Sequence, residues 1–161
     1  MKIKIKHNLA DNLLEFFGWI TLLILWILTI VNYSELPDTI PIHFDARGDI
    51  NNYGNKATIL ALPIIGTFIF VAMTLLNKYP SSLNYPVNIN EGNALKQYTI
   101  TKRLLRYLKF AIPFIFNLIV FQTIQITKGL TKGLSIWLLP FVLGVIFIPI
   151  ILFTIKSNNN K

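Results

Sequence analysis

The stretch "LPDTIPIHFDARGDINNYGNKA", residues 36–57, is a charged, glycine-punctuated segment held between two long apolar runs. The fold turns on what those runs are. Leu13 to Val31 precedes the segment and Ile59 to Leu76 follows it, while Leu108 to Ile126 and Leu134 to Ile155 lie further along the chain. Each approaches the roughly 20 residues needed to cross a hydrocarbon core of about 30 Å. Of 161 residues, 53% are hydrophobic and 14% charged, which is the composition of an integral membrane protein. The expected fold is all-α: a single membrane domain over 1–161, with four transmembrane helices in an up-down bundle. A structured extracellular cap loop at 32–58 joins helices one and two. A cytoplasmic loop at 77–107 ends in a basic amphipathic segment, because Lys102, Arg103, Arg106 and Lys109 share one helical arc and Leu104, Leu105 and Leu108 the other.

Lys2, Lys4 and Lys6 before the first run raise the signal-peptide reading. The run is longer than an ordinary h-region, and "VNYSELPD" after it carries no small-residue cleavage site, so a retained helix is expected. Orientation follows from the basic residues. Three lie in the N-terminal tail, five in 77–107 and two in the C-terminal tail, against two in 32–58 and two in 127–133. The positive-inside rule then places both termini in the cytoplasm. The net charge of +8 is accordingly read as membrane-facing, with anionic membrane lipid as the partner and no nucleic acid.

All four runs are read as charge-free through the hydrocarbon, with Lys109 at the inner mouth of the third. That reading leaves Asn117, Gln122 and Gln125 as the intramembrane polar contacts and argues against a charge-coupled carrier acting alone. Asn117 is expected to bridge helices by hydrogen bonds. Pro63, Pro113, Pro140 and Pro149 predict kinks or locally opened turns, including a pocket opened toward the outer leaflet by helix four. The absence of cysteine removes disulfides, thiolate catalysis and Cys-ligated metals.

The segment between the first two runs is about 27 residues long, more than is needed to join adjacent helices. Pro37 and Pro41 restrict it, Gly48 and Gly54 permit tight turns, and Ile40, Ile42 and Phe44 form an alternating apolar edge opposite His43 and Asp45. Glu35, Asp38, Asp45 and Asp49 outnumber Arg47 and Lys56, so the loop is acidic on a basic protein and suits a cationic partner. His43 with nearby carboxylates lacks the spacing of a metal site and is read as a structural hydrogen-bond partner. The "RGD" at Arg47 to Asp49 is read as turn chemistry rather than as an adhesion sequence. No nucleophile partners His43, so no enzyme is expected.

Leu36, Pro37, Ile40, Pro41, His43, Phe44, Asp45, Gly48, Gly54 and Lys56 form a pattern that closely resembles a bacterial membrane domain. That domain, catalogued as of unknown function, is found at the N-terminus of the sporulation-delaying-toxin immunity family. The resemblance implies a bacterial plasma-membrane protein that protects its producer from a secreted membrane-active peptide. It also implies, through the best-described relative, a receptor that holds a transcriptional repressor at the membrane. The expected function is non-enzymatic immunity or sensing, with an extracellular cationic or amphipathic peptide recognised by His43, Phe44, Asp45, Arg47 and Asp49. Leu36, Pro37, Pro41, Gly48, Gly54 and Lys56 would be the scaffold of that loop. The alternative is a permease component or membrane-complex accessory subunit with a membrane protein partner. Neither reading calls for a cofactor or a metal.

Overall fold

The computed structural model describes residues 8–160. Lys2, Lys4, Lys6, His7 and Lys161, which carry part of the charge count and of the signal-peptide question, lie outside the described residues. Four helices, α1 (Leu9–Tyr33), α2 (Ala61–Lys78), α3 (Ala94–Thr127) and α4 (Leu138–Asn158), are long and apolar enough to cross a membrane. They alternate in direction as a bundle, and a β-hairpin of β1 (Thr39–Phe44) and β2 (Ile50–Asn55) fills the connection between α1 and α2. The hairpin marks one end of the bundle. The start of α1 and the end of α4 mark the other, called here the terminal end.

Helix α1 begins at a capping box: Asn8 Oδ1 accepts from the Asp11 amide at 2.8 Å, and the Asn8 amide donates to Asp11 Oδ2 at 2.9 Å. Two orphan donors of the first turn are thereby satisfied. In a bilayer, helices associate through close backbone approach and interhelical hydrogen bonds rather than by hydrophobic drive. Both devices join α1 to α3. A Cβ on Gly18 would come within 3.6 Å of the Lys109 carbonyl oxygen. Asn117 Nδ2 donates to Thr21 O at 2.7 Å and to Pro113 O at 2.9 Å. Trp26 Nε1 donates to Thr67 Oγ1 at 2.9 Å and ties α1 to α2. The apolar core is concentrated toward the hairpin, where Leu25, Leu36, Ile40, Ile59, Val120 and Ile124 are buried against one another.

Helix α3 has 34 residues and so spans about 51 Å, some 20 Å more than a hydrocarbon core of about 30 Å. Its first turns therefore project beyond the hydrocarbon at the terminal end, and the segment from Ala94 expected to be loop is helix. The reading of charge-free runs is corrected here. Glu15 lies inside the first run and Lys109 inside the third, and the two side chains form an ion pair. Their tolerance has a physical reason: neither is left alone, and Lys109, only 1% exposed, is also covered by the Phe70 ring with its centroid 4.4 Å from Nζ.

Helix α4 is apolar around its whole circumference and packs on α3. Two polar latches hold it there. Gln97, fully buried on α3, accepts from Ser157 Oγ at 2.6 Å and donates to the carbonyls of Ser157 and Asn160, both at 2.9 Å. Pro149 cannot donate to the carbonyl of Val145 four residues earlier. The Tyr107 hydroxyl of α3 takes that place, donating to Val145 O at 2.9 Å. A kink-forming proline thus becomes an attachment point.

Candidate functional site beneath the hairpin

The hairpin tip is built by Asp45. Its Oδ1 accepts from the amides of Arg47 at 2.8 Å and Asp49 at 3.0 Å, while its carbonyl accepts from the Gly48 amide at 3.0 Å. Such an Asx-type turn satisfies donors that a tight reversal would otherwise leave open. Those amide donors, Arg47 first and Asp49 next, hold the Asp45 carboxyl below the usual carboxylate range. The Asp45 carboxylate thus shapes the turn through Oδ1. The Asp49 carboxylate makes no ion pair among the described residues, and Arg47 is exposed.

Gly48 completes the turn with φ +89° and touches the connection between α3 and α4. The Leu134 amide donates to Gly48 O at 2.8 Å. A Cβ on Gly48 would lie 2.2 Å from Leu134 O, and one on Gly133 would lie 2.5 Å from Gly48 O. Only glycine facing glycine allows the two loops to meet so closely. On the same connection, the Ser135 amide donates to Gln122 Oε1 at 2.6 Å.

This contact roofs a cleft of about 400 Å³. Ile42, Phe44 and Ala46 of the hairpin form one wall, Ile119 of α3 the floor, and Leu138 and Val142 of α4 the other wall, with His43, Asp45 and Ser135 as polar members. The lining is mainly apolar with a few polar groups, as in sites that take the apolar part of an amphipathic ligand. His43 Nδ1 lies 2.6 Å from Asn51 Oδ1 across the hairpin, a contact that fixes the imidazole. Among the described residues no three His, Asp or Glu side chains gather as a metal site.

The expected alternation along β1 is interrupted. Ile40 and Pro41 are both buried while Ile42 is partly exposed, and the register with β2 is irregular between Pro41 and Phe44. An irregularity of this kind re-aims side chains that strict two-residue periodicity would place on opposite faces. As a result Ile42, His43, Phe44 and Asp45 all border one cleft. Ile42 also lies across Gly54, whose missing side chain makes the room. Leu36 and Pro41 are buried and Pro37 is exposed. Lys56 holds the base of the hairpin through Asp38 Oδ1 at 3.1 Å and Leu36 O at 3.2 Å. Glu35 pairs with Lys128 Nζ at 2.6 Å, and the hydrogen bond from that lysine lowers its pKa. Two of the four loop carboxylates, Glu35 and Asp38, are thus neutralised locally.

Of the polar residues expected within the bilayer, Asn117 joins α1 to α3 and Gln122 supports the α3–α4 connection, while Gln125 uses its main-chain carbonyl to accept from the Leu130 amide. They are not gathered on one surface of the cleft. Sequence reasoning missed the participation of Ile119, Leu138 and Val142, which are ordinary apolar residues carrying no local signal. It also missed the ionic cluster at the terminal end, where Asp11 and Glu15 of α1 meet Arg103, Arg106 and Lys109 of α3. The available signal was the four-residue spacing of Asp11 and Glu15, which places both on one helical face.

Residues 20–67 match a family described as a domain of unknown function (DUF1648). The chain carries a DUF1648-like domain. The match runs from α1 through the whole hairpin into α2 and leaves out α3 and α4. An uncharacterized protein of Archaeoglobus fulgidus is 35% identical over 75 residues, which is 42% of this chain and 41% of that relative. The chain therefore spans less than half the length of the curated relative it matches. No solved structure matches the chain. The DUF1648-like domain supplies only the hairpin wall of the cleft; Ile119, Leu138 and Val142 lie beyond the matched residues.

Proposed function

We propose that this chain is a non-enzymatic membrane immunity or sensing protein that receives a secreted, membrane-active peptide in the cleft beneath its hairpin. The hairpin then faces the outside of a bacterial plasma membrane and both termini face the cytoplasm, in keeping with the distribution of Lys and Arg. The observation carrying this reading is the cleft of about 400 Å³ at the junction of the hairpin with α3 and α4. Its walls suit an apolar side chain of an amphipathic peptide, and the exposed Asp49 beside Gly48 supplies a negative charge for a cationic one. The resemblance of the hairpin motif to the immunity family supports the same assignment.

The test is survival of a sensitive bacterium expressing the chain and challenged with a panel of cationic membrane-active peptides. Leu138→Trp, which fills the cleft, and Asp49→Lys, which reverses the free charge, are compared at matched membrane abundance. Protection against a particular peptide is expected to fall at least about tenfold in each variant, the equivalent of about 1.4 kcal/mol. Protection that survives Leu138→Trp unchanged overturns the cleft as the receiving site. A second reading, as a permease component or membrane-complex accessory subunit, draws on the ion pair between the buried Lys109 and the partly exposed Glu15. It predicts solute flux that responds to Glu15→Gln and not to Leu138→Trp.

A further inference from the structure

At the terminal end, away from the hairpin cleft, a second cavity of about 240 Å³ opens between α2 and α3 and reaches Glu15 of α1. Its wall includes Lys78, Lys102, Arg106 and Lys109, and Glu15 is the one carboxylate lining it among the described residues. Arg103 and Asp11, joined at 3.2 Å, connect to that wall through the Arg106–Asp11 pair at 3.3 Å. Five cations are therefore grouped around two carboxylates. Asp11 is engaged by Arg103 and Arg106, and Glu15 by Arg106 and Lys109. Neither Lys78 nor Lys102 forms an ion pair with a carboxylate among the described residues. Of the three positive charges in excess, these two are the ones outside the ion-pair network.

A second observation is independent of charge. Asn77 also lines the cavity, is 9% exposed and donates from Nδ2 to Lys102 O at 3.4 Å, yet its Oδ1 has no hydrogen-bond partner. A buried acceptor left open costs about 1–3 kcal/mol, which a hydroxyl-bearing occupant would offset. At about 30 Å³ per water, the cavity has room for about eight waters, enough for a phosphate and the polar group esterified to it.

We propose that this cavity binds a phosphate group, either as free phosphate or as the phosphodiester of an anionic lipid headgroup. Lys78 and Lys102 supply the uncompensated charge, and Asn77 Oδ1 accepts from a hydroxyl of the occupant. Basic pockets between transmembrane helices are suited to such headgroups because a phosphate at the membrane surface gains about 1 kcal/mol per nearby cation.

The test uses the full-length chain in nanodiscs. Thermal stability is measured in phosphatidylcholine alone, with increasing phosphatidylglycerol, and with inorganic phosphate added to phosphatidylcholine discs. Lys78→Gln/Lys102→Gln is compared with Lys96→Gln/Lys156→Gln, which removes the same charge from exposed positions at the same end of the bundle. Saturable stabilisation of the original chain is expected, with apparent affinity falling roughly 30-fold in the cavity variant, the equivalent of about 2 kcal/mol, and less than threefold in the control. Stabilisation by phosphatidylglycerol alone assigns the lipid headgroup; saturation by inorganic phosphate that competes with the lipid assigns the free anion. Equal losses in both double variants, or no preference of the original chain for either anion, overturn the proposal. Neither cavity lysine takes part in the α1–α3 ion pairs, so the cavity variant retains the contacts that assemble the bundle.

Discussion

Replacing Gly48 by Ala separates the role of the hairpin tip as a docking point from its role as a turn. At φ +89° an L side chain is strained by about 1–2 kcal/mol. The added Cβ would lie 2.2 Å from Leu134 O, a backbone atom that cannot swing aside as a flexible side chain would. The loops must therefore part, and the 2.8 Å bond from the Leu134 amide to Gly48 O is lost, at about a further 1 kcal/mol. Gly129 is the control: its φ is +73°, but a Cβ there meets nothing within 4 Å. Gly129→Ala should show the strain alone. Unfolding titrations in micelles are expected to place Gly48→Ala about 2–3 kcal/mol below the original chain and Gly129→Ala about 1–2 kcal/mol below it. Hydrogen exchange then gives the local signature. The Leu134 amide should exchange on the order of tenfold faster in Gly48→Ala, matching about 1.4 kcal/mol of lost protection, and at its original rate in Gly129→Ala. An unchanged Leu134 rate in Gly48→Ala would refute the docking contact and with it the roof of the cleft.

Two further outcomes follow from the helix contacts. Tyr107→Phe leaves Val145 O without its donor and should destabilise the chain by about 1–3 kcal/mol; adding Pro149→Ala restores a main-chain donor, so the double variant should regain most of the loss in the same titration. Glu15→Gln removes the carboxylate nearest the buried Lys109 ammonium and should cost about 3–5 kcal/mol, whereas Lys109→Met leaves a partly exposed Glu15 that water can solvate and should cost far less. Equal effects of the two substitutions in micelle unfolding would show that the ammonium does not depend on Glu15.

Much of the architecture was legible because its causes are local. A run of some 20 apolar residues crosses a bilayer whatever its neighbours, since backbone polar groups in hydrocarbon must be satisfied within the helix. The hairpin was legible as a structured loop from Pro37, Pro41, Gly48 and Gly54, but its irregular register was not, because bulges depend on pairing with the opposite strand. Asp45 illustrates the limit most sharply. As a type of residue it suits cationic-peptide recognition, and its position after Phe44 suggested exposure, yet its carboxylate accepts the amides of Arg47 and Asp49.

The sequence by itself determined four membrane-length helices, the folded connection between the first two, and the glycine at its tip. Only the tertiary structure decided which residues meet at each end of the bundle. Ile119, Leu138 and Val142 become cleft walls because α3 and α4 meet the hairpin there, although they lie about 70 residues or more beyond it in the chain. Asp11 and Glu15 become partners of Arg103, Arg106 and Lys109 because parallel packing of the two helices aligns the first turns of α1 with the first half of α3. Hydropathy is a property of neighbours in sequence, whereas cavities and ion networks arise between helices that are distant in sequence, and that is why the span was readable from the chain and the sites were not.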